Sequence, residues 1–256
     1  MAFALVKGIY EQDRDKFAQI VIHDIDDERQ RLFAQTFKAY ACEIDDLVQR
    51  ADIILLAVKP AQLPTVLQDI KPFVDKQVIL SVAAGISTSQ IETSLEGLVP
   101  VIRAMPNTPC LVGEGVVVLS PGRYVDAEQI EFVQELLQSV GTIEVLPESD
   151  MDAVTAVSGS GPAYVFLIVE AMMDAAVQVG LSYDTARNLV LQTIRGSIKM
   201  LEDQDDHPAV LKAQVCSPGG TTIAGVKKLE ESAVRAAFFN AIEEAYYRSI
   251  ELGKHD

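Results

Sequence analysis

A chain of 256 residues with 49% hydrophobic side chains can bury a full core and is long enough for two modest domains. Its 21 Lys and Arg stand against 37 Asp and Glu, a formal net charge of -16 that repels polyanions, so no nucleic-acid partner is expected. The cysteines Cys42, Cys110 and Cys216 and the histidines His23, His207 and His255 lie far apart without metal-ligand spacing; no metal site is expected, and a reduced, cytoplasmic setting is.

The first residues, MAFALVKGIY, read as a helix with neither a strand nor a glycine turn ahead of it, and they lack the pattern of a secretory signal. Then IVIHD (20–24) is a short β-branched strand, 26–39 a helix, and DIILLAVKP (52–60) a continuous apolar strand ending at proline. A helix over 61–70 leads to the strand QVILSVAAG (77–85), and a helix near 87–96 leads to VPVIRAMPN (99–107). After GVVVLS (115–120) come an amphipathic helix over 126–139 and the strand GTIEVLP (141–147). Continuous apolar strands separated by helices predict a doubly wound, mostly parallel α/β sheet covered on both faces. Beyond residue 148 strand signals stop, so an α/β domain over 1–147 and an all-helical domain over 148–256 are expected. The longest apolar stretch, AYVFLIVEAMMDAAVQVG, carries Glu170 and Asp174 on one helix face. Two charges there argue against a membrane span and predict a buried helix, with a second subunit as a candidate neighbour.

Ligands of open α/β sheets bind outside the carboxyl ends of the strands. Three such ends, AVKP (57–60), AAG (83–85) and MPNTP (105–109), join small residues, which let a ligand approach the backbone, to a proline or glycine that fixes the turn. One alone is ordinary strand-to-helix punctuation; three on one sheet edge predict a crevice, where Lys59 can offset phosphate charge and Asn107 can bond an amide. Asp24, ending IVIHD, fits the acidic position that takes the adenosine ribose hydroxyls in dinucleotide folds. A carboxylate there opposes a 2′-phosphate and the next residue is Ile25 rather than an arginine, which tilts the expectation toward NADH over NADPH. The alternative makes Asp24 one of several solvated acids in HDIDDER.

In CSPGGTTIAG (216–225), small and hydroxyl residues precede an apolar helix, a composition that leaves backbone N–H groups free to seat an anion such as a carboxylate. A plain helix cap would not require both Gly219 and Gly220. The loop VSGSGPAY (157–164) either offers N–H groups near the same site or permits close helix packing, and both readings stand.

The segments ALVKG, AVKP, AAG, MPNTP, VSGSGPAYVF and SPGGTTIAG occur in the order and spacing of the pyrroline-5-carboxylate reductases, and the chain resembles that family over nearly its whole length. The resemblance implies a Rossmann domain joined to a helical domain that forms a homodimer, with dimers assembling into a larger ring in some members. It implies NADPH or NADH as cofactor, held at Ala57, Val58, Lys59, Pro60, Ala83, Ala84 and Gly85, with Asn107 nearby. It also implies a substrate carboxylate held at Ser217, Gly219, Gly220, Thr221 and Thr222, with the Thr222 hydroxyl near the imine nitrogen as the candidate catalytic group. A family acidic position ahead of HP falls on Asp205 and reads as substrate-binding, whereas an expected cofactor-contacting asparagine before VCSPGG is Gln214 here. Met1 and Ala2 match the last two positions of the family's G-x-G-x-M-A phosphate turn and read as cofactor contacts. A first strand and its glycines, about ten residues, are accordingly expected upstream of an internal methionine start.

The reaction so implied is reduction of the cyclic imine (S)-1-pyrroline-5-carboxylate to L-proline, the last step of proline biosynthesis. Catalysis by positioning would dominate, since no strongly basic side chain is required. The alternatives are a reductase of another small imino acid built on the same plan, and an N-terminally truncated, inactive relative. No membrane partner is expected.

Overall fold

The computed structural model describes residues 1–12 and 19–253; the expected passage from helix to strand at 13–18, and His255, lie outside them. In chain order the α/β part comprises α1 (Ala2–Gln12), β1 (Val21–Ile22), α2 (Asp27–Phe37), β2 (Tyr40–Ala41), α3 (Ile44–Arg50), β3 (Ile53–Leu56), α4 (Leu63–Ile70), β4 (Val78–Ser81), α5 (Thr88–Leu95), β5 (Val101–Pro106), β6 (Gly115–Pro121), α6 (Ala127–Leu137) and β7 (Gly141–Val145). The helices α7 (Met151–Val154), α8 (Gly161–Gln178), α9 (Tyr183–Gln204), α10 (Pro208–Val215), α11 (Thr221–Glu231) and α12 (Val234–Gly253) follow.

A five-stranded sheet runs β3-β4-β5-β6-β7, and β1 pairs with β2 in a separate two-stranded sheet. Strands β3, β4 and β5 are parallel, while β6 is antiparallel to β5 and parallel to β7. The arrangement is Rossmann-like, as the alternation of apolar strands and helices predicts. Because side chains alternate along a strand, neighbouring residues feed opposite cores. Ile79 and Val101 join Val48, Leu63, Leu67 and Ile91 on one face; Val78, Leu80, Ile102 and Ala104 join Leu5, Ile9, Val133 and Leu137 on the other. Each fully buried aliphatic side chain contributes ~1.5–3 kcal/mol, so covering both faces leaves the strand ends as the open edge.

Local chemistry sets the helix starts. Ser87 and Asp126 each accept the N–H three residues on, Gln90 and Gln129, whose side chains accept the capping residue's own N–H in return. These reciprocal bonds satisfy donors that the first helical turn would otherwise leave unpaired. Two elements escaped the sequence reading, β2 and α3: a two-residue strand carries no periodicity, and α3 opens on acids without a side-chain cap on Glu43.

The chain divides into one compact unit of Met1–Pro162 with Ala245–Asp256, and another of Ala163–Glu244. The expected division after 147 marks where strands cease; the compact unit continues past it because Met151 and Ala156 are buried and Ser249 bonds Asp152.

The expectation of a buried helix at α8 needs correction for the single chain. Phe166 is 66% and Leu167 65% exposed, and Met173 is the helix's buried residue. The stretch Glu148–Gln178 is long and apolar enough to cross a membrane by length and composition alone, and only 6% of its most apolar window is buried. Glu170 and Asp174 line one shallow depression of about 330 Å³ with Phe166, Val169, Met173 and Tyr183, as their shared helix face predicts.

Candidate active site

In the α/β unit the carboxyl ends of the parallel strands carry the expected cofactor residues. Ala57, Lys59 and Pro60 are exposed and Val58 half-buried after β3; Ala84 is exposed after β4, with Ala83 buried beneath it and Gly85 at φ +79. Met1 and Ala2 open α1, where the carbonyl of Met1 accepts from the N–H groups of Ala4 and Leu5. The first N–H groups of such a helix have no intrahelical acceptor and face outward.

Asp24 follows β1 with its carboxylate held in place: Oδ1 accepts the Asp26 N–H at 3.0 Å, and Arg29 Nη1 lies 3.9 Å from Oδ2. Arg29, in the first turn of α2 and also 3.5 Å from Asp26 Oδ2, is not signalled by Ile25, the residue that directly follows Asp24. Its spacing of five from Asp24 was the available signal. The exposed Arg29 guanidinium thus sets a positive charge beside the carboxylates of Asp24 and Asp26.

Asn107 is buried at the end of β5, and protein groups engage both ends of its amide. Oδ1 accepts the Val116 N–H at 2.9 Å, while Nδ2 donates to the carbonyl oxygen and the hydroxyl of Ser158, each at 3.3 Å. The strand end and the SGSG loop are therefore joined, and any cofactor amide would compete with Ser158 for this donor. The loop contains a π-helical stretch, Thr155–Gly159, of a kind frequent at functional sites. A Cβ on Gly159 would lie 2.5 Å from Met105 Cε, so Gly159 packs against this methionine near the end of β5.

In the helical unit, α11 begins without a side-chain cap on its N-cap residue, Gly220. A Cβ there would meet Ser217 Oγ at 2.3 Å, so a side chain at this position would displace the Ser217 hydroxyl from the helix start. Ser217, Gly219 and Thr221 are exposed and Thr222 half-buried, leaving first-turn N–H groups available to an anion. Asp205 stands elsewhere in this unit, as the exposed left-handed C-cap of α9 at φ +51, and Gln214 is exposed near the end of α10.

Neither Cys110 nor Cys42 is poised as a nucleophile: burial pushes both thiols up, with Asp46 adding to the effect at Cys42. Among the described residues no cluster of metal-ligating side chains occurs.

Residues 148–252 match the family described as pyrroline-5-carboxylate reductase dimerisation, and residues 1–85 match coenzyme F420-dependent NADP oxidoreductases. The chain is 46% identical over 209 residues to the pyrroline-5-carboxylate reductase of Corynebacterium melassecola, covering 80% of this chain and 77% of that one. The chain belongs to the pyrroline-5-carboxylate reductase family. A second reductase, from Mycobacterium leprae, is 39% identical and covers 97% of this chain and 92% of its own length. The solved pyrroline-5-carboxylate reductase of Coxiella burnetii superposes with a TM-score of 0.90 at 33% identity, over 99% of this chain and 95% of that one. A Plasmodium falciparum pyrroline carboxylate reductase with NADP bound gives 0.87 at 33% identity, over 98% and 94%. The family's dimerisation domain marks the reductase as a homo-oligomer.

Proposed function

We propose that the protein reduces (S)-1-pyrroline-5-carboxylate to L-proline with NADPH or NADH. The observation that carries this reading is the 46% identity to a pyrroline-5-carboxylate reductase over most of the chain. The inactive-relative alternative is not favoured: relatives at 39–46% identity bear the enzyme's name, and the strand-end and SPGGTT motifs are intact.

The groups present fit a nicotinamide dinucleotide. Strand-end turns of small residues admit its backbone-facing edges, the Asp24 carboxylate is oriented for ribose hydroxyls, and Lys59 and Arg29 stand exposed for phosphate charge. When bound, the reduced nicotinamide supplies the hydride that adds to the C=N carbon. The remaining work is positioning and charge. N–H groups of the Gly219–Thr222 segment hold the substrate carboxylate without a cationic side chain, and the Thr222 hydroxyl, or a water it orients, supports the proton on the imine nitrogen. That proton makes the carbon more electrophilic and remains on the proline nitrogen as product.

The oligomer is a dimer through the helical domain that assembles further into a ring, it works in the cytoplasm, and a second copy rather than lipid covers α8. Turnover of pyrroline-5-carboxylate against piperideine-carboxylate and simple keto acids tests the substrate: preference for the five-membered imine supports the assignment, and equal or better use of another substrate overturns it.

A further inference from the structure

Glu148, just beyond β7, reaches back to the start of α5. Its Oε1 accepts the Thr88 N–H at 2.8 Å and its Oε2 accepts the Thr88 hydroxyl at 2.7 Å, with Arg103 Nη1 3.4 Å from Oε1. Thr88 and Arg103 are buried. The carboxylate thus sits at the positive end of α5 on a donor that the helix leaves unpaired. Starting α5 does not require it, because Ser87 and Gln90 already form a reciprocal cap. What Glu148 adds is a fixed distance between the turn Ala83–Ser87 and the α7 region.

The same turn is held from its other side. A Cβ on Gly85 would lie 3.2 Å from the Gly253 nitrogen, and one on Gly253 would lie 3.1 Å from the Gly85 carbonyl oxygen, so the last turn of α12 rests on the backbone of Gly85. The end of α12 is itself anchored where the buried Ser249 hydroxyl donates to Asp152 Oδ1 at 2.6 Å. Asp152 lies in α7, one helical turn after Glu148, which closes the ring of contacts.

We propose that Glu148 and the Ser249–Asp152 bond are positioning groups that preset the turn Ala83–Ser87 for the cofactor, an inference that rests on the reading of this turn as a cofactor contact. They act through the turn and touch no reacting atom. A turn fixed beforehand loses less freedom when the dinucleotide binds, so the brace acts on cofactor affinity and leaves the chemical step alone.

The full chain and its variants are titrated with NADPH in the absence of substrate, by nicotinamide fluorescence, and kcat is measured at saturating cofactor. Glu148→Ala is expected to weaken NADPH binding about tenfold and Ser249→Ala about threefold, with kcat within about twofold of the parent. Thr88→Ser, which keeps the hydroxyl, retains the parent's affinity. Unchanged affinity in Glu148→Ala and Ser249→Ala, or losses matched by equal losses in kcat, would overturn the proposal. Should Glu148→Ala fail to fold, Ser249→Ala decides alone. Ala84→Glu separates the two readings: if NADPH binding survives a carboxylate on the turn itself, the turn is no cofactor contact and the proposal falls with that reading. If Ala84→Glu abolishes binding while the brace variants bind normally, the brace alone is wrong.

Discussion

Asn107 donates from Nδ2 to both the carbonyl oxygen and the hydroxyl of Ser158, tying the end of β5 to a loop 51 residues away. The same side chain accepts the Val116 N–H, so it closes the strand end on both sides. Asn107→Ala leaves that part-buried N–H without its acceptor and the loop untethered, and should cost about 1–3 kcal/mol of stability. Asn107→Asp keeps the acceptor and loses the donor, so it should fold better than the alanine variant while still lowering kcat/KM. Denaturant unfolding and steady-state kinetics of the two check this; equal stability of both variants would argue against the two-sided role.

Nucleotide choice should turn on the opposition of Asp24 and Arg29. If Asp24 holds the ribose as proposed, replacing Arg29 by Ala removes the positive charge beside it and should raise KM for NADPH by about tenfold, leaving KM for NADH within about twofold. Asp24→Ser should do the reverse, improving NADPH relative to NADH. Parallel kinetics with both nucleotides read the ratio directly, and a ratio unmoved by either change removes this pair from specificity.

Asp205 carries a discriminating substitution because its conformation and its expected substrate role make different demands. At φ +51 a glycine is less strained, so Asp205→Gly should stabilise the protein by about 0.5–1 kcal/mol. If the carboxylate also contacts substrate, KM for pyrroline-5-carboxylate rises in the same variant. A rise in the thermal midpoint with unchanged KM assigns Asp205 to the helix end alone.

The thiols should separate by environment. Cys110 is fully buried, and burial holds its thiol above the ordinary range, so its contribution to stability is present below the usual thiol pKa and is lost as pH rises through the raised value. Alkylation of the native protein near pH 8 should therefore modify the half-exposed Cys216 and spare Cys110. Because Cys216 directly precedes Ser217, its modification should also raise KM for substrate. Peptide mass analysis before and after unfolding identifies the modified thiols.

Most of the α/β order was legible because buried parallel strands are unbroken apolar runs, as in DIILLA and QVILSV, which no solvent-facing alternation interrupts. The short β2 and the acid-led α3 lacked that signal. At the site, the glycines of SPGGTT were readable from composition, and Gly219 does take a left-handed φ of +70 that favours glycine. Long-range partners were not. Nothing local marks Asn107 as bound to Ser158, or Glu148 as bound to Thr88, because those pairs meet only once the chain is folded. The exposed face of α8 misled for a related reason: an apolar helix looks alike in sequence whether its own chain or a second copy covers it.

Hydride transfer to a cyclic imine to give proline can be followed by isotope transfer. The protein is incubated with pyrroline-5-carboxylate and NADPH carrying deuterium at the transferable position of the nicotinamide, and the product is analysed by mass spectrometry and NMR. The expected product is L-proline with a single deuterium on the ring carbon that had been double-bonded to nitrogen. Nicotinamide oxidation without labelled proline, or no turnover by folded protein that binds NADPH, would contradict it.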